Sequence, residues 1–390
     1  MRRVLALPIL AVCCLSALAV EPWRDAAFAK RVQIAIDHNA VSATLTWHPL
    51  LVKGTDTWLP GGVGIPFADV EEDKWAFYDA AGNKMNSDKE KYADNAGAGY
   101  ANFEIWVSLD GWQIDSASDT YIWMYYSPTA SDPGTATGVW DVNFKAVYHL
   151  SEASGTVYDS TSNNLDLAAS GSPSYAQAGK IGSSMRFVAG TSDYLSTGTA
   201  ALADFPVTLS CWFSGTDAGQ NMIYVGDKDH AYGKVALSAL GATAGDPGLS
   251  YADSSGKYTY SHSTDGFSAA TWTHLVGTMD DGDTADAYLN AGTSQAEITT
   301  GTVGHEYPWD TTSIGALRDS TPSYSADVYI DEARISNIVR SSSWIAFEHS
   351  NVSEADNELT AGSPETYSPP AGGIPGHLNL RNPHLDGGHL

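Results

Sequence analysis

Val328-Tyr-Ile-Asp-Glu-Ala-Arg-Ile-Ser-Asn-Ile-Val-Arg-Ser-Ser-Ser-Trp344-Ile345 is the stretch that decides the fold. Read with the two-residue period of a strand, Tyr329, Asp331, Ala333 and Ile335 share one face, and Val328, Ile330, Glu332 and Arg334 share the other. That parity sets a carboxylate on an apolar face. A buried carboxylate must be paired, hydrogen-bonded or bound to metal, so Asp331 predicts a partner elsewhere in the chain.

Upstream of this strand, turn residues recur at short intervals between runs rich in β-branched and aromatic residues, the pattern of an all-β sandwich. Trp140-Asp-Val-Asn-Phe-Lys-Ala-Val-Tyr-His-Leu150, Tyr158-Asp-Ser-Thr-Ser-Asn163, Gly179-Lys-Ile-Gly182 with Met185-Arg-Phe187, Asp193-Tyr194, Val207-Thr-Leu-Ser-Cys-Trp-Phe213, Trp272-Thr-His-Leu-Val276, Ile314-Gly315 and Ile330-Asp-Glu332 follow one another in order. This succession resembles the laminin-G-like, concanavalin A-like lectin/glucanase jelly rolls over residues 139–351. The order of the words carries the resemblance, since each alone is weak.

The stretch Ser127-Pro-Thr-Ala-Ser-Asp-Pro-Gly-Thr-Ala-Thr-Gly138 is a break in composition, and residues 128–138 are expected to link two domains. Before it, Val32, Ile34 and Ile36 alternate in one strand, and Phe103, Ile105, Val107 and Leu109 in another. With Trp23-Arg24, the Pro-Leu-Leu-Val run at 49–52 and Tyr121-Ile-Trp-Met-Tyr-Tyr-Ser127, residues 22–127 resemble the DUF2341 domain, although the stretch from Gly54 to Gly99 departs from that family's usual Asp-rich pattern. The fold class expected is therefore all-β, with two β-sandwich domains of which the second is a concanavalin A-like jelly roll. Their pairing implies an exported bacterial or phage-like surface protein.

Residues 1–19 read as a signal peptide: Arg2-Arg3, an apolar run from Val4 to Leu15, then Ala17-Leu-Ala19 as a small-x-small cleavage site. Cys13, after Leu10-Ala-Val12, keeps a lipoprotein reading open, against the bulk of Val12. A secreted, extracellular or cell-surface location follows, and no later stretch is apolar for long enough to span a membrane. The formal charge is −26 and loses two more positive charges, Arg2 and Arg3, with the leader, which opposes binding to nucleic acid. Of three cysteines, Cys13 and Cys14 leave with the leader; Cys211, in an apolar strand, reads as a buried structural thiol. Residues 352–390 turn polar and then Pro/Gly-rich, which reads as a tail. Its His377, His384 and His389 are spaced too irregularly for a metal motif.

No enzyme signature stands out. The glucanase pattern Glu-x-Asp-x-x-Glu is missing, Asp331 and Glu332 are consecutive and should point to opposite faces, Gly171-Ser-Pro-Ser174 is interrupted by proline, and His305-Glu-Tyr-Pro308 is no zinc motif. The resemblance implies a structural calcium ion that Asp331 and Asp159 would share. The alternative is that Asp331 accepts backbone N–H bonds and Asp159 makes an Asx-turn. Sugar binding asks for an aromatic platform beside polar groups. The loop Gly304-His-Glu-Tyr-Pro-Trp-Asp-Thr-Thr312 offers His305, Tyr307, Trp309 and Asp310, with Arg318 and Tyr324 soon after, while Trp309 has packing into the sandwich edge as its other reading. The sequence thus points to an exported noncatalytic binding or adhesion protein with a glycan as the leading ligand. A structural surface or assembly component that binds proteins is the alternative, and a glycoside hydrolase the more distant one.

Overall fold

The computed structural model describes residues 22–369, apart from 96–98, 216–220, 231, 240–246, 256, 264, 282–283, 293–295, 300–303, 305–307, 319–321 and 354–357. It is nearly all β, with one α-helix, Ser342–Ser353, and a few single 3-10 turns.

The first region is built on one folded sheet that runs Leu359–Ala361, Lys30–Ile36, Thr120–Tyr126, Trp75–Asp79, Lys84–Asn95, Tyr100–Ser108, Leu50–Gly54. The long strand Lys84–Asn95 turns the corner: Lys84 and Met85 pair with Trp75–Asp79 and the rest, from Asn86, with Tyr100–Ser108. Alternation places Val32, Ile34 and Ile36 in the same core as Phe103, Ile105 and Val107, so the two halves of the sheet bury each other's apolar faces.

The second region is a two-sheet sandwich. One sheet runs Ala168–Ser170, Tyr194–Thr197, Thr311–Ile314, Asn221–Gly226, Lys234–Ser238, Gly248–Ala252, Tyr258–His262, Ala296–Thr299. The other runs Ser174–Ala178, Ser183–Arg186, Val328–Ser336, Val207–Gly215, Thr273–Met279, Ala285–Leu289, and Phe144–Tyr148 also pairs with Val328–Ser336. Leu209, Cys211, Phe213, Ile223, Val225, Leu237 and Leu249 fill the space between them. Cys211 is free and buried there, and burial pushes its thiol far above the usual range.

Three sequence expectations are corrected here. The residues of 128–138 do connect the regions, but they lie along the first one: Thr135 donates from its amide and Oγ1 to Asn86 Oδ1 (3.1 and 3.0 Å), and Ser87 Oγ donates to Pro133 O (2.7 Å). Residues beyond 352 are not all tail, because Leu359–Ala361 and Glu365–Thr366 add strands beside Lys30–Ile36. Glu365 reaches Arg31, a buried guanidinium 3.9 Å above the Trp123 ring and hydrogen-bonded to Tyr125 Oη (2.9 Å). Buried arginine needs such a carboxylate, which polar composition alone does not reveal.

The third correction concerns the closing strand. Opposite Val207–Gly215, Ser210 faces Arg334 but Trp212 faces Asp331, so Val328–Ser336 carries one extra residue, and Glu332 has φ +51°. This β-bulge resets the parity. Val328 and Ile330 before it, and Ala333 and Ile335 after it, all enter the sandwich core. Tyr329 is 36% exposed and does not share a face with Ile335 as a strict two-residue period would require.

The two regions also share a core. Trp140, Phe144, Val147, Ile181, Trp212, Trp344, Phe347 and Val352 pack in one cluster with the first region's apolar residues. Trp106, on the outward face of its strand, lies 5.8 Å from Trp140. The helix starts on Ser341, whose Oγ accepts from Trp344 N (3.2 Å). It buries Trp344 and Phe347 toward the first region and Ile345 against Val276 and Tyr288 of the second. Apolar contacts on more than one side leave it no amphipathic stripe for sequence reading to find.

Candidate functional site

Beneath this shared core lies a buried group of charges contributed by both regions. Asp88 and Glu90 come from the strand Lys84–Asn95, His149 follows Phe144–Tyr148, Glu332 and Arg334 come from the closing strand, and Glu348 from the helix. Backbone irregularities deliver three of them. Lys89 faces Ile105 while Lys91 faces Glu104, so Glu90 is the extra residue of a second bulge. Glu332 is at the bulge already described, and His149 precedes Leu150 at φ +62°. Bulges re-aim side chains out of the sheet's alternation, which is how two glutamates from different regions reach one imidazole.

His149 Nδ1 is 2.8 Å from Glu332 Oε1, and its Nε2 is 3.1 Å from Asp88 Oδ2. Asp88 Oδ2 also accepts from Trp140 Nε1 (2.9 Å). Glu90 Oε1 crowds the same Nδ1, yet outside hydrogen-bond geometry, so this buried oxygen accepts no hydrogen bond. Glu332 Oε2 and Glu348 Oε1 take the two ends of the Arg334 guanidinium, each at 2.6 Å, and Trp106 and Trp140 lie within 5.0 Å of that guanidinium. Nearby, Arg340 holds Asp141 through both oxygens (2.6 and 2.9 Å).

Protonation follows from this crowding. Burial opposes charge on His149, but Glu90, Glu332 and Asp88 outweigh it and hold the imidazolium well above its usual range. Burial raises Glu332 and Asp88 too, and His149 wins in each case, leaving both carboxyls lowered, with Arg334 helping Glu332. Glu90 has no such compensation: burial, with Glu332 and Asp88 adding to it, outweighs His149 and pushes Glu90 up to about 7. Its side chain is 1% exposed, as is that of Glu332, so these acids are closed to a polysaccharide and are no glycosidase pair.

Asp331 and Asp159 each hold backbone in place. Asp331 is fully buried, and its Oδ2 accepts from the amides of Lys180 (2.7 Å) and Ile181 (3.0 Å). The Gly179-Lys-Ile-Gly182 word is thus the cradle of Asp331; a Cβ on Gly179 would stand 2.7 Å from Asp331 Oδ2. Burial raises the Asp331 carboxyl well above its usual range. Asp159 Oδ1 accepts from Val147 N and Thr161 N, and Oδ2 from Thr161 Oγ1 and Leu165 N, which is an Asx-turn extended to the neighbouring strand. Among the described residues the two share no hydrogen-bond partner, and each makes the contacts of the alternative reading, backbone N–H bonds at Asp331 and an Asx-turn at Asp159. Among the described residues, the groups with metal-ligand spacing are Glu90–His149–Glu332, the exposed Asp37–His38–Asp119, and Asp227–Asp229–Asp310. In the last, Lys228 Nζ sits on Asp229 (2.6 Å) and Asp310 (2.9 Å).

Among the described residues of the aromatic loop expected to bind sugar, Trp309 presents no open face. Trp309 is buried in the sandwich core, 5.5 Å from Phe205, because the space beside Phe205 and Tyr251 takes the whole indole. Asp310 is occupied by Lys228, Arg318 lies 5.3 Å over Tyr194, and Tyr324 is 59% exposed. His305 and Tyr307 lie outside the described residues.

An aromatic and polar cleft occurs instead in the first region. About 300 Å³ in volume, it is lined by Trp58, Lys53, Thr55, Thr57, Asn351 and Glu358, among others. Gly54 makes room for the Phe103 ring, which a Cβ would meet at 2.2 Å, and Phe103 in turn supports Trp58 edge-to-face at 5.5 Å. Asn351 closes the floor by hydrogen bonding to both Leu51 N (2.7 Å) and Leu51 O (3.0 Å). No sequence pattern joined Trp58 to Asn351, which are brought together only by the helix docking on the first region.

Residues 189–346 match a laminin G family described as the Concanavalin A-like lectin/glucanases superfamily. The match lies within the second region, over most of its two-sheet sandwich. No curated protein matches the chain. Among solved structures, it is similar to domain 4 of AbnA, a GH43 extracellular arabinanase from Geobacillus stearothermophilus in complex with arabinotriose, at 18% identity, TM-score 0.41, over 53% of this chain and 98% of that one. The receptor binding domain of botulinum neurotoxin mosaic serotype C/D is similar at 11% identity and TM-score 0.39, over 53% of this chain and 50% of that one. A heptameric SAP-like pentraxin from Limulus polyphemus is similar at 10% identity and TM-score 0.33, over 39% of this chain and 73% of that one. Among the described residues no helix is long and apolar enough to cross a membrane.

Proposed function

We propose that the chain is an exported, noncatalytic carbohydrate-binding protein of the cell surface or its surroundings, in which a DUF2341-like region and a concanavalin A-like domain act as one body. The observation that carries this reading is the Trp58 cleft. It offers an indole face beside two threonines, a lysine and a carboxylate, and a sugar ring presents the matching combination of an apolar C–H face and a hydroxyl rim. The carboxyls raised above their usual range, Glu90 and Asp331, are sealed inside and unavailable as general acids at that cleft, which favours binding over hydrolysis.

A glycan array probed with the mature chain tests this, followed by an assay for released reducing ends on every polysaccharide bound. Binding without release is expected. Trp58→Ala should weaken binding about tenfold or more, the worth of one stacked aromatic at about 1.4 kcal/mol. A folded chain that retains no glycan on the array would overturn the carbohydrate reading and favour a structural surface component; release of reducing ends would overturn the noncatalytic one.

A further inference from the structure

We propose that Glu90, His149 and Glu332 form a binding site for one divalent transition-metal cation of the zinc class, which braces the two regions against each other. Their donor atoms all lie within 4.8 Å of one another, so a single ion can reach all three. The observation that points to a cation is Glu90 Oε1, a buried oxygen that accepts no hydrogen bond and is aimed at the imidazole nitrogen already facing Glu332 Oε1. One Nδ1–H can serve one carboxylate. A cation accepting the Nδ1 lone pair and both oxygens satisfies all three.

The surroundings have the form of an outer shell. With Nδ1 on the ion, His149 must carry its proton on Nε2, where Asp88 Oδ2 stands 3.1 Å away, and Trp140 Nε1 fixes Asp88 in turn. A carboxylate on the far nitrogen of a ligating histidine sets its tautomer and raises its basicity. Arg334 likewise holds Glu332 Oε2, leaving Oε1 to the ion. One imidazole and two carboxylates suit a borderline cation such as zinc rather than calcium, which prefers six to eight oxygens. The ligands come from both regions, and both glutamates are extra residues at bulges, so the ion would tie together the segments that the shared apolar core also joins.

The test uses the full mature chain with His377, His384 and His389 changed to Ala, so that the tail contributes no ligands. After refolding with Zn(II) and removal of loose metal, elemental analysis should find one equivalent that resists dialysis and leaves with 1,10-phenanthroline, with a lowered Tm. Glu90→Gln and His149→Gln should reduce zinc affinity on the order of 100-fold while circular dichroism reports the same fold. A folded parent that holds well under one equivalent, and whose Tm ignores chelator, overturns the proposal. So do folded variants that bind as the parent does. If either substitution prevents folding, Cu(II) loaded into the parent decides: electron paramagnetic resonance coupling to one imidazole nitrogen supports the site, and a spectrum without nitrogen coupling overturns it. Glycan binding is read separately and stands or falls without the ion.

Discussion

Separating the chain between residues 138 and 139 should leave neither piece able to fold by itself. Eight second-region residues, Trp140, Phe144, Val147, Ile181, Trp212, Trp344, Phe347 and Val352, are buried in the cluster that also holds the first region's core. Fully burying one large apolar side chain is worth roughly 1.5–3 kcal/mol, so if separation re-exposes only half of that, the loss is on the order of 6–12 kcal/mol. Net stabilities of whole domains are about 5–15 kcal/mol. Polar losses add to this: Asp88 would forfeit Trp140 and His149, Gly182 N its bond to Glu104 (2.6 Å), and Lys30–Ile36 the strands at 359–361 and 365–366. The assay is to express 22–138 and 139–369 separately and together and to melt each by circular dichroism. The separate pieces should show no cooperative transition, and co-expression should restore one. An isolated 139–369 piece that melts cooperatively within about 5 °C of the parent would refute the reasoning, since at this size that margin corresponds to only a few kcal/mol.

Asp331→Ala should cost about 2–4 kcal/mol in denaturant titration, because two buried amides lose their acceptor, whereas Asp331→Asn keeps an acceptor and should cost less than half as much; an Ala variant with the parent's midpoint would sink this account. His48, wholly buried between Trp344 and Phe347, is held at about 4 by burial, with Arg334 and Arg340 adding to it against Glu348. A depressed histidine leaves the unfolded chain as the better proton acceptor, so the parent should lose up to roughly 3 kcal/mol as pH falls from 6.5 through 4. His48→Phe should show a smaller loss across that window, and equal slopes in the two proteins would contradict the assignment. Deleting 358–390 should lower Tm more than deleting 370–390, since the first removes Glu365 from Arg31 and two strands from the sheet edge; equal melting would mean that the C-terminal strands contribute nothing.

What the sequence made legible follows the strength of periodic patterns. In the strands Lys30–Ile36, Tyr100–Ser108 and Val207–Gly215 every second residue from Val32, Ala101 and Val207 through Ile36, Val107 and Phe213 is apolar, so their core faces and the all-β class could be read directly. The closing strand was recognisable, but its parity was not, because nothing in Asp331-Glu-Ala333 announces a residue in the left-handed region; a β-bulge is specified by what the neighbouring strands leave room for. The same holds at Glu90, where nothing in Asp88-Lys-Glu-Lys91 announces the bulge that turns Glu90 inward onto His149. Trp309 is a case the sequence left open between ligand contact and packing at the sandwich edge, and only the neighbouring Phe205 and Tyr251 show that it is core. Sites made where two sandwiches meet are hard to read for a physical reason. Each contributing residue breaks the pattern of its own element, and the compensation for that break lies in a segment as far away as Glu90 is from Glu332. A search for such sites in sequence should therefore look for charged residues that interrupt otherwise well-ordered strands, since a strand that tolerates a buried Glu at a bulge is stable only if something opposite neutralises it.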